Sequence, residues 1–350
     1  MANLAFRNSA ARGLPVSAAR RNADWQAVLS DAVRDPAELC RLLRLPRSLA
    51  TAAQRAAEGF DLLVPRTFLG RIQRGDPSDP LLVQVLPQAA ELAETPRFQT
   101  DPLGEADAVI GPGLLHKYQG RSLIVTTPTC AVHCRFCFRR HFPYFDVGEA
   151  IGPGLDTWAP VLDRIAADPS IREVILSGGD PLTLPDEYLA QFAKRLSEIA
   201  HLVRLRLHTR LPVMVPQRVT DELLGWMRGT RLTPIMVIHV NHPAEIDHEV
   251  AAAFRRMIEA GVPVLSQSVL LAGVNDEVDV LAELYGRLVD LGVMPYYLHQ
   301  LDRVAGAAHF EVPEAIGVEL IAQLRTRLPG YAVPRYVRER CGGPSKEVLA

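Results

Sequence analysis

Lysine is almost absent from this chain. Of 38 basic residues only Lys117, Lys194 and Lys346 are lysines, and the rest are arginine. Genome base composition is enough to explain the bias, but it leaves three candidates for any chemistry that needs a side-chain amine. Neither charge sign is in excess. The net charge of −2 implies no nucleic-acid or anionic-membrane partner. No apolar run reaches the roughly 20 residues of a membrane span. The first 22 residues carry Arg7, Arg12, Arg20 and Arg21 and no acidic residue. That composition resembles a transit peptide; the stretch lacks the apolar region of a secretory signal, and its simpler reading is a disordered tail of a cytosolic protein. Cysteines number five, an odd count in a large chain without secretory features, which argues against a disulfide framework. What is present suffices for a sizeable core: 350 residues, 48% of them hydrophobic, in one large domain or two.

Residues 1–115 read as a helical N-terminal region, with a 3.6-residue period running from Trp25 through Leu29 and Val33 to Leu39, Leu42 and Leu43. The stretch 71–105, rich in proline and acidic residues, reads as an ordered connection. From about 120 the texture changes. Strands are expected at 122–127, 172–176, 203–208, 233–240, 263–269 and 294–299, with helices near 156–167, 186–200, 219–229, 247–260, 277–291 and 313–327. The alternation predicts an α/β fold of parallel βαβ units. Six strands with six helices suit a partial (β/α)6 barrel over 116–328, between the helical N-terminal region and a short C-terminal tail at 329–350. An open doubly wound sheet is the alternative. In a parallel α/β barrel reactive groups lie at the C-terminal ends of strands. Here each strand candidate ends in polar chemistry: Cys130; Ser177 to Asp180; His208 to Arg210; His239 to His242; Gln267 and Ser268; His299 to Asp302.

Cys130, Cys134 and Cys137 form a C-x3-C-x2-C run, TCAVHCRFCFRR. Three thiolates on one loop can hold three irons of a 4Fe–4S cluster and leave the fourth iron open to an outside ligand. With His133 they could instead make a structural zinc site, although such sites usually pair two separated knuckles. The turn Gly178-Gly179-Asp180 can let a ligand approach the backbone, or be an ordinary strand-to-helix turn. Arg139 or Arg140 could clamp a carboxylate, or lie on the surface. Asp302 could receive an ammonium, or cap a helix. Lys346, after a glycine-rich turn, could form a Schiff base, or be solvated.

Taken together these residues resemble the radical S-adenosylmethionine enzymes, and within them the lysine 2,3-aminomutase family. The narrower resemblance covers roughly residues 100–346 and rests on HKYQGR (116–121), CRFCFRRHF (134–142), LSGGDPL (176–182), TRLPVMVPQRVT (209–220), HVNHPAEI (239–246), QSVLLAGVND (267–276), PYYLHQLD (295–302) and GGPSK (342–346). It implies a radical SAM partial barrel and three cofactors. Cys130, Cys134 and Cys137 would ligate the 4Fe–4S cluster. Gly178, Gly179, Asp180, His239 and Gln267 would contact S-adenosylmethionine. Lys346 would hold pyridoxal 5′-phosphate, with Arg121, and more weakly Lys117, at its phosphate. Arg139 would bind the carboxylate of free L-lysine and Asp302 its side-chain ammonium.

The resemblance also implies the reaction: a 5′-deoxyadenosyl radical, fed by a one-electron reductant such as flavodoxin or ferredoxin, moves the amino group of (S)-α-lysine from C2 to C3 and gives (R)-β-lysine. Two departures matter. Catabolic members continue past the Schiff-base lysine into a zinc-binding extension, and they carry aspartate where this chain has Glu339. The ERCGGPSK ending instead resembles the cytoplasmic subfamily that supplies β-lysine to the ligase modifying elongation factor P. The alternatives are an aminomutase for another amino acid such as glutamate, and a zinc-stabilised binding protein.

Overall fold

A computed structural model describes residues 25–144 and 155–350; the arginine-bearing stretch 1–22 lies outside them. Ten strands form one sheet in sequence order: β1 (Val109–Gly111), β2 (Leu114–Tyr118), β3 (Arg121–Thr127), β4 (Glu173–Gly178), β5 (Arg204–Thr209), β6 (Thr233–His239), β7 (Val264–Val269), β8 (Met294–His299), β9 (Arg335–Arg338) and β10 (Glu347–Val348). Strands β3 to β9 run parallel. An antiparallel hairpin closes each end, β1 and β2 against β3, and β10 against β9. The fold is α/β with the six expected parallel strands at the expected places. The tail adds a seventh parallel strand.

The parallel strands are apolar because helices cover the outer face. Each crossover helix buries one stripe. Asp186–Glu198 buries Leu189, Phe192, Ala193 and Leu196, and opens on the acidic residues Asp186 and Glu187, which suit a helix N-terminus. His248–Glu259 buries Val250, Ala253, Phe254 and Met257, and Asp247 caps it by accepting from the Glu249 and Val250 amides. Because all crossovers connect parallel strands, the C-terminal ends of β3 to β8 gather at one end of the sheet.

The N-terminal region has four short helices, Trp25–Ser30, Pro36–Leu42, Arg47–Ala57 and Arg66–Leu69, followed by turns to residue 108. The sheet then begins at Val109, so the boundary drawn at 115 falls inside β2. Trp25, Leu39 and Phe68 share one core with the barrel residues Leu207, Met214 and Phe254. Arg71 donates to the carbonyls of Val213 and Glu245. No helix among the described residues is long and apolar enough to cross a membrane.

Candidate active site

The cysteine loop leaves β3 and is hung on the N-terminal region by its backbone. The His133 amide donates to Leu63 O at 3.0 Å and the Arg135 amide to Gln84 O at 2.9 Å. The Arg135 side chain continues the attachment, with Glu91 at 2.6 and 2.9 Å and Asp61 O at 2.9 Å. His133 stacks on Phe60 and its Nδ1 lies 2.9 Å from Asp61 O. It is not among the residues lining the cavity into which the three cysteines open. Burial, with the neighbouring thiols, raises Cys130 well above the usual thiol range and Cys137 to about 11. Such thiols ionise when a cationic centre binds them. Three sulfurs facing one cavity, apart from His133, fit a cluster with an open iron better than a three-cysteine, one-histidine zinc site.

The turn after β4 packs against this loop. The Gly179 and Asp180 amides donate to Thr127 O and Thr129 O at 2.7 and 2.8 Å. A Cβ on Gly179 would stand 2.3 Å from Thr129 O, and one on Gly178, at φ +112°, would meet Val125 at 2.9 Å. The glycines were expected to admit a ligand; they first admit the cysteine loop itself. Asp180 is saturated by its own protein, accepting from Thr209 Oγ1 and from the Leu182, Arg210 and Leu211 amides. Its carboxylate therefore holds the β4 and β5 turns together, although the residue also lines the cavity.

His239 and Gln267 lie opposite each other on β6 and β7 and both face the cavity. Burial, and then the nearby Arg210 cation, lower His239 to about 4, so its ring is neutral; Nε2 meets Asn241 Oδ1 at 3.2 Å. The ring lies 5.6 Å from that of Phe136 on the cysteine loop.

At the other end of the cavity stands the tail. Lys346, entering β10, pairs with Glu339, which also takes Lys117 of β2 at 2.5 Å. Burial alone would raise Glu339; Lys346 and then Lys117 overcome it and hold the carboxyl at about 2. Arg121 opens β3 with its guanidinium 4.6 Å from the Tyr118 ring and no carboxylate in ion-pair range among the described residues. Strand β8 carries a bulge: Ser266 faces Pro295, but Gln267 faces Tyr297. The extra residue brings Tyr296 and Tyr297 to the same side, stacked at 3.7 Å on the cavity wall. An amine, an unpaired arginine and aromatic faces in one place fit pyridoxal phosphate.

Between the two ends lie Arg139 and Asp302. Arg139 is buried, and its fork is taken by Glu105, with Nε and Nη2 at 2.7 and 2.8 Å; Nη1 reaches Ser177 Oγ at 3.1 Å. Arg140 turns away, pairs with Glu91, and lines a separate cavity with Phe98 and Gly306. Asp302 is pushed up to about 7 by burial and by Glu339, against the pull of Lys346 and Lys117. All thirteen residues to which the family resemblance assigns a role line this cavity, whereas His133 and Arg140 do not. Glu105 and Gln84 were not among the thirteen. No local pattern marks them, because each acts through a partner far along the chain. His208 and His299 were noted only as strand ends. Burial drives both well below the usual histidine range, and His208 Nε2 is buried without a partner.

Residues 124–285 match the family model described as the radical SAM superfamily. Over 95% of its length the chain is 44% identical to the L-lysine 2,3-aminomutase of Haemophilus influenzae, covering 97% of that protein. It is 45% identical to the Escherichia coli K12 protein of that name over 93% of this chain and 94% of that one. The Clostridium subterminale protein of that name is 36% identical over 92% of this chain and 77% of its own length. The chain belongs to the lysine 2,3-aminomutase family of radical SAM enzymes. As a member of that family it is an isomerase, and its cofactors are a 4Fe–4S cluster, S-adenosylmethionine and pyridoxal phosphate.

Proposed function

We propose that the chain is an L-lysine 2,3-aminomutase that converts (S)-α-lysine to (R)-β-lysine for the modification of elongation factor P. The observation that carries this is a single cavity with three cysteines at one end, Lys346 and Arg121 at the other, and the cation-seeking Asp302 between them. The cofactors supply the radical and the electron-delocalising ring when bound. The protein's part is position and exclusion of water. Cys130, Cys134 and Cys137 would hold the cluster, and His239 and Gln267 would face S-adenosylmethionine beside it. Lys346 would anchor pyridoxal phosphate, with Arg121, and Lys117 if released from Glu339, at its phosphate.

Asp302 gains its proper partner when a substrate ammonium arrives, since a cation offsets the burial of its charge. Arg139 would meet the substrate carboxylate only by sharing its fork with Glu105. An anionic side chain such as that of glutamate would be repelled at Asp302, which disfavours the glutamate reading. The link to elongation factor P rests on the ERCGGPSK ending (339–346), which resembles the subfamily that supplies β-lysine for that modification. A cytoplasmic setting with a flavodoxin or ferredoxin as electron donor suits the oxygen-sensitive cluster. Supply of β-lysine to a separate ligase belongs to the same reading.

Reconstituted anaerobically with iron, sulfide, S-adenosylmethionine, pyridoxal phosphate and dithionite, the protein should turn L-lysine into β-lysine. No β-lysine from protein holding about four irons per chain would sink the proposal. Borohydride reduction should place a pyridoxyl group on Lys346; a label on Lys117 or Lys194 would refute that assignment.

A further inference from the structure

Arg210, directly after β5, is buried and fully committed at both terminal nitrogens. Nη2 donates to Gln84 Oε1 at 2.8 Å and Glu245 Oε2 at 3.0 Å, while Nη1 donates to Cys134 Sγ at 2.8 Å. The acceptors behind it are themselves fixed. Gln84 Oε1 also takes Asn241 Nδ2 at 2.9 Å, and Glu245 Oε1 takes the Asn241 and His242 amides at 2.9 and 3.1 Å. Gln84 and Glu245 are fully buried. The Phe136 ring lies 5.5 Å from the guanidinium carbon. Through its own carbonyl Gln84 also holds the Arg135 amide, so one residue positions both the cysteine loop and the arginine aimed at it. Among the described residues Cys134 is the only one of the three cysteines that receives a side-chain N–H donor: the Arg139 fork goes to Glu105 and Ser177.

We propose that Arg210 is a positioning residue that raises the reduction potential of the cluster through its charged hydrogen bond to Cys134, with Gln84 and Glu245 setting its aim. The inference rests on the three cysteines being the cluster ligands. An added electron increases negative charge on the sulfurs, and an N–H from a cation stabilises that state more than the oxidised one. Because Glu245 is met by Nη2, the nitrogen facing the sulfur is free of a competing carboxylate. The device would ease the first electron from a low-potential donor.

The test is an EPR-monitored redox titration of reconstituted wild type, Arg210→Lys, Arg210→Met and the charge-neutral double variant Arg210→Met/Glu245→Gln. Each is assayed for iron first. At a fixed solution potential the ratio of reduced to oxidised cluster should fall about tenfold in the methionine variants, equivalent to 59 mV for one electron, with lysine in between. If Arg210→Met takes up no cluster because Glu245 is left unpaired, the double variant carries the comparison. A second measurement needs no variant: guanidino-15N-arginine protein should show a nitrogen coupling to the reduced cluster by ENDOR. An unchanged potential in a variant with full iron, or no coupling in the wild type, overturns the proposal while leaving the cluster assignment standing. A wild type that binds no iron sinks both.

Discussion

Replacing Asp302 by asparagine should stabilise the protein, and more so the higher the pH. The carboxyl moves from an ordinary 3.8 to about 7 in the folded chain, chiefly by burial. Between those values the folded chain keeps a proton that the unfolded chain has released, so stability falls as pH rises through that window. The gap corresponds to about 4 kcal/mol at 1.36 kcal/mol per tenfold, a ceiling because the residue is only half-buried and lines a cavity. About 1.6 kcal/mol of it is already lost at pH 5 and nearly all by pH 8, a difference of about 2.5 kcal/mol. With an unfolding entropy of about 2.1 cal/mol/K per residue, that is up to about 4 °C in a chain of this length. Asparagine keeps the shape of the protonated acid and has no charge to bury. The assay is thermal unfolding of wild type and Asp302→Asn at pH 5 and pH 8, with the cluster loaded and pyridoxal phosphate removed. The gain in Tm from the substitution should be larger at pH 8. A gain that does not change with pH, or one larger at pH 5, would refute the reasoning. Turnover of lysine should be lost in the same variant, because the strained carboxylate is the group that would hold its ammonium.

Gly179→Ala should lower both stability and iron content: its Cβ meets the Thr129 backbone at 2.3 Å, so the loop before Cys130 must move, at a cost of about 1–3 kcal/mol read by melting and iron assay. Arg121→Gln should weaken pyridoxal phosphate binding roughly 10- to 100-fold, the loss of one charged hydrogen bond, as read by absorbance titration; unchanged binding would remove Arg121 from the phosphate site.

Six of the seven parallel strands, β3 to β8, were legible because each is a short apolar run followed by a helix-length amphipathic segment. The two end hairpins were not. Strands of three, five, four and two residues, such as RYVR at 335–338, are too short and too charged to show a period. The site was legible where chemistry is concentrated in unusual residues: three clustered cysteines, a rare lysine, polar strand ends. It was illegible where a residue's meaning lies in its partner. The sequence around Arg139 does not announce that Glu105 occupies its fork, and nothing near Asp180 reveals that Thr209 and three amides consume its oxygens. The bulge that brings Tyr296 and Tyr297 together is likewise a property of register with β7, not of the motif PYYLHQ.

The cysteine loop hangs on Leu63 and Gln84 through backbone hydrogen bonds that involve no sulfur. Its shape is therefore maintained by atoms that oxygen does not attack. A cluster destroyed by oxidation would leave a loop still set for its three irons, and refilling it would not require the chain to fold again. Loss of the cluster and loss of the fold would then be separate events, and a chain emptied of iron would need only iron, sulfide and electrons to work again.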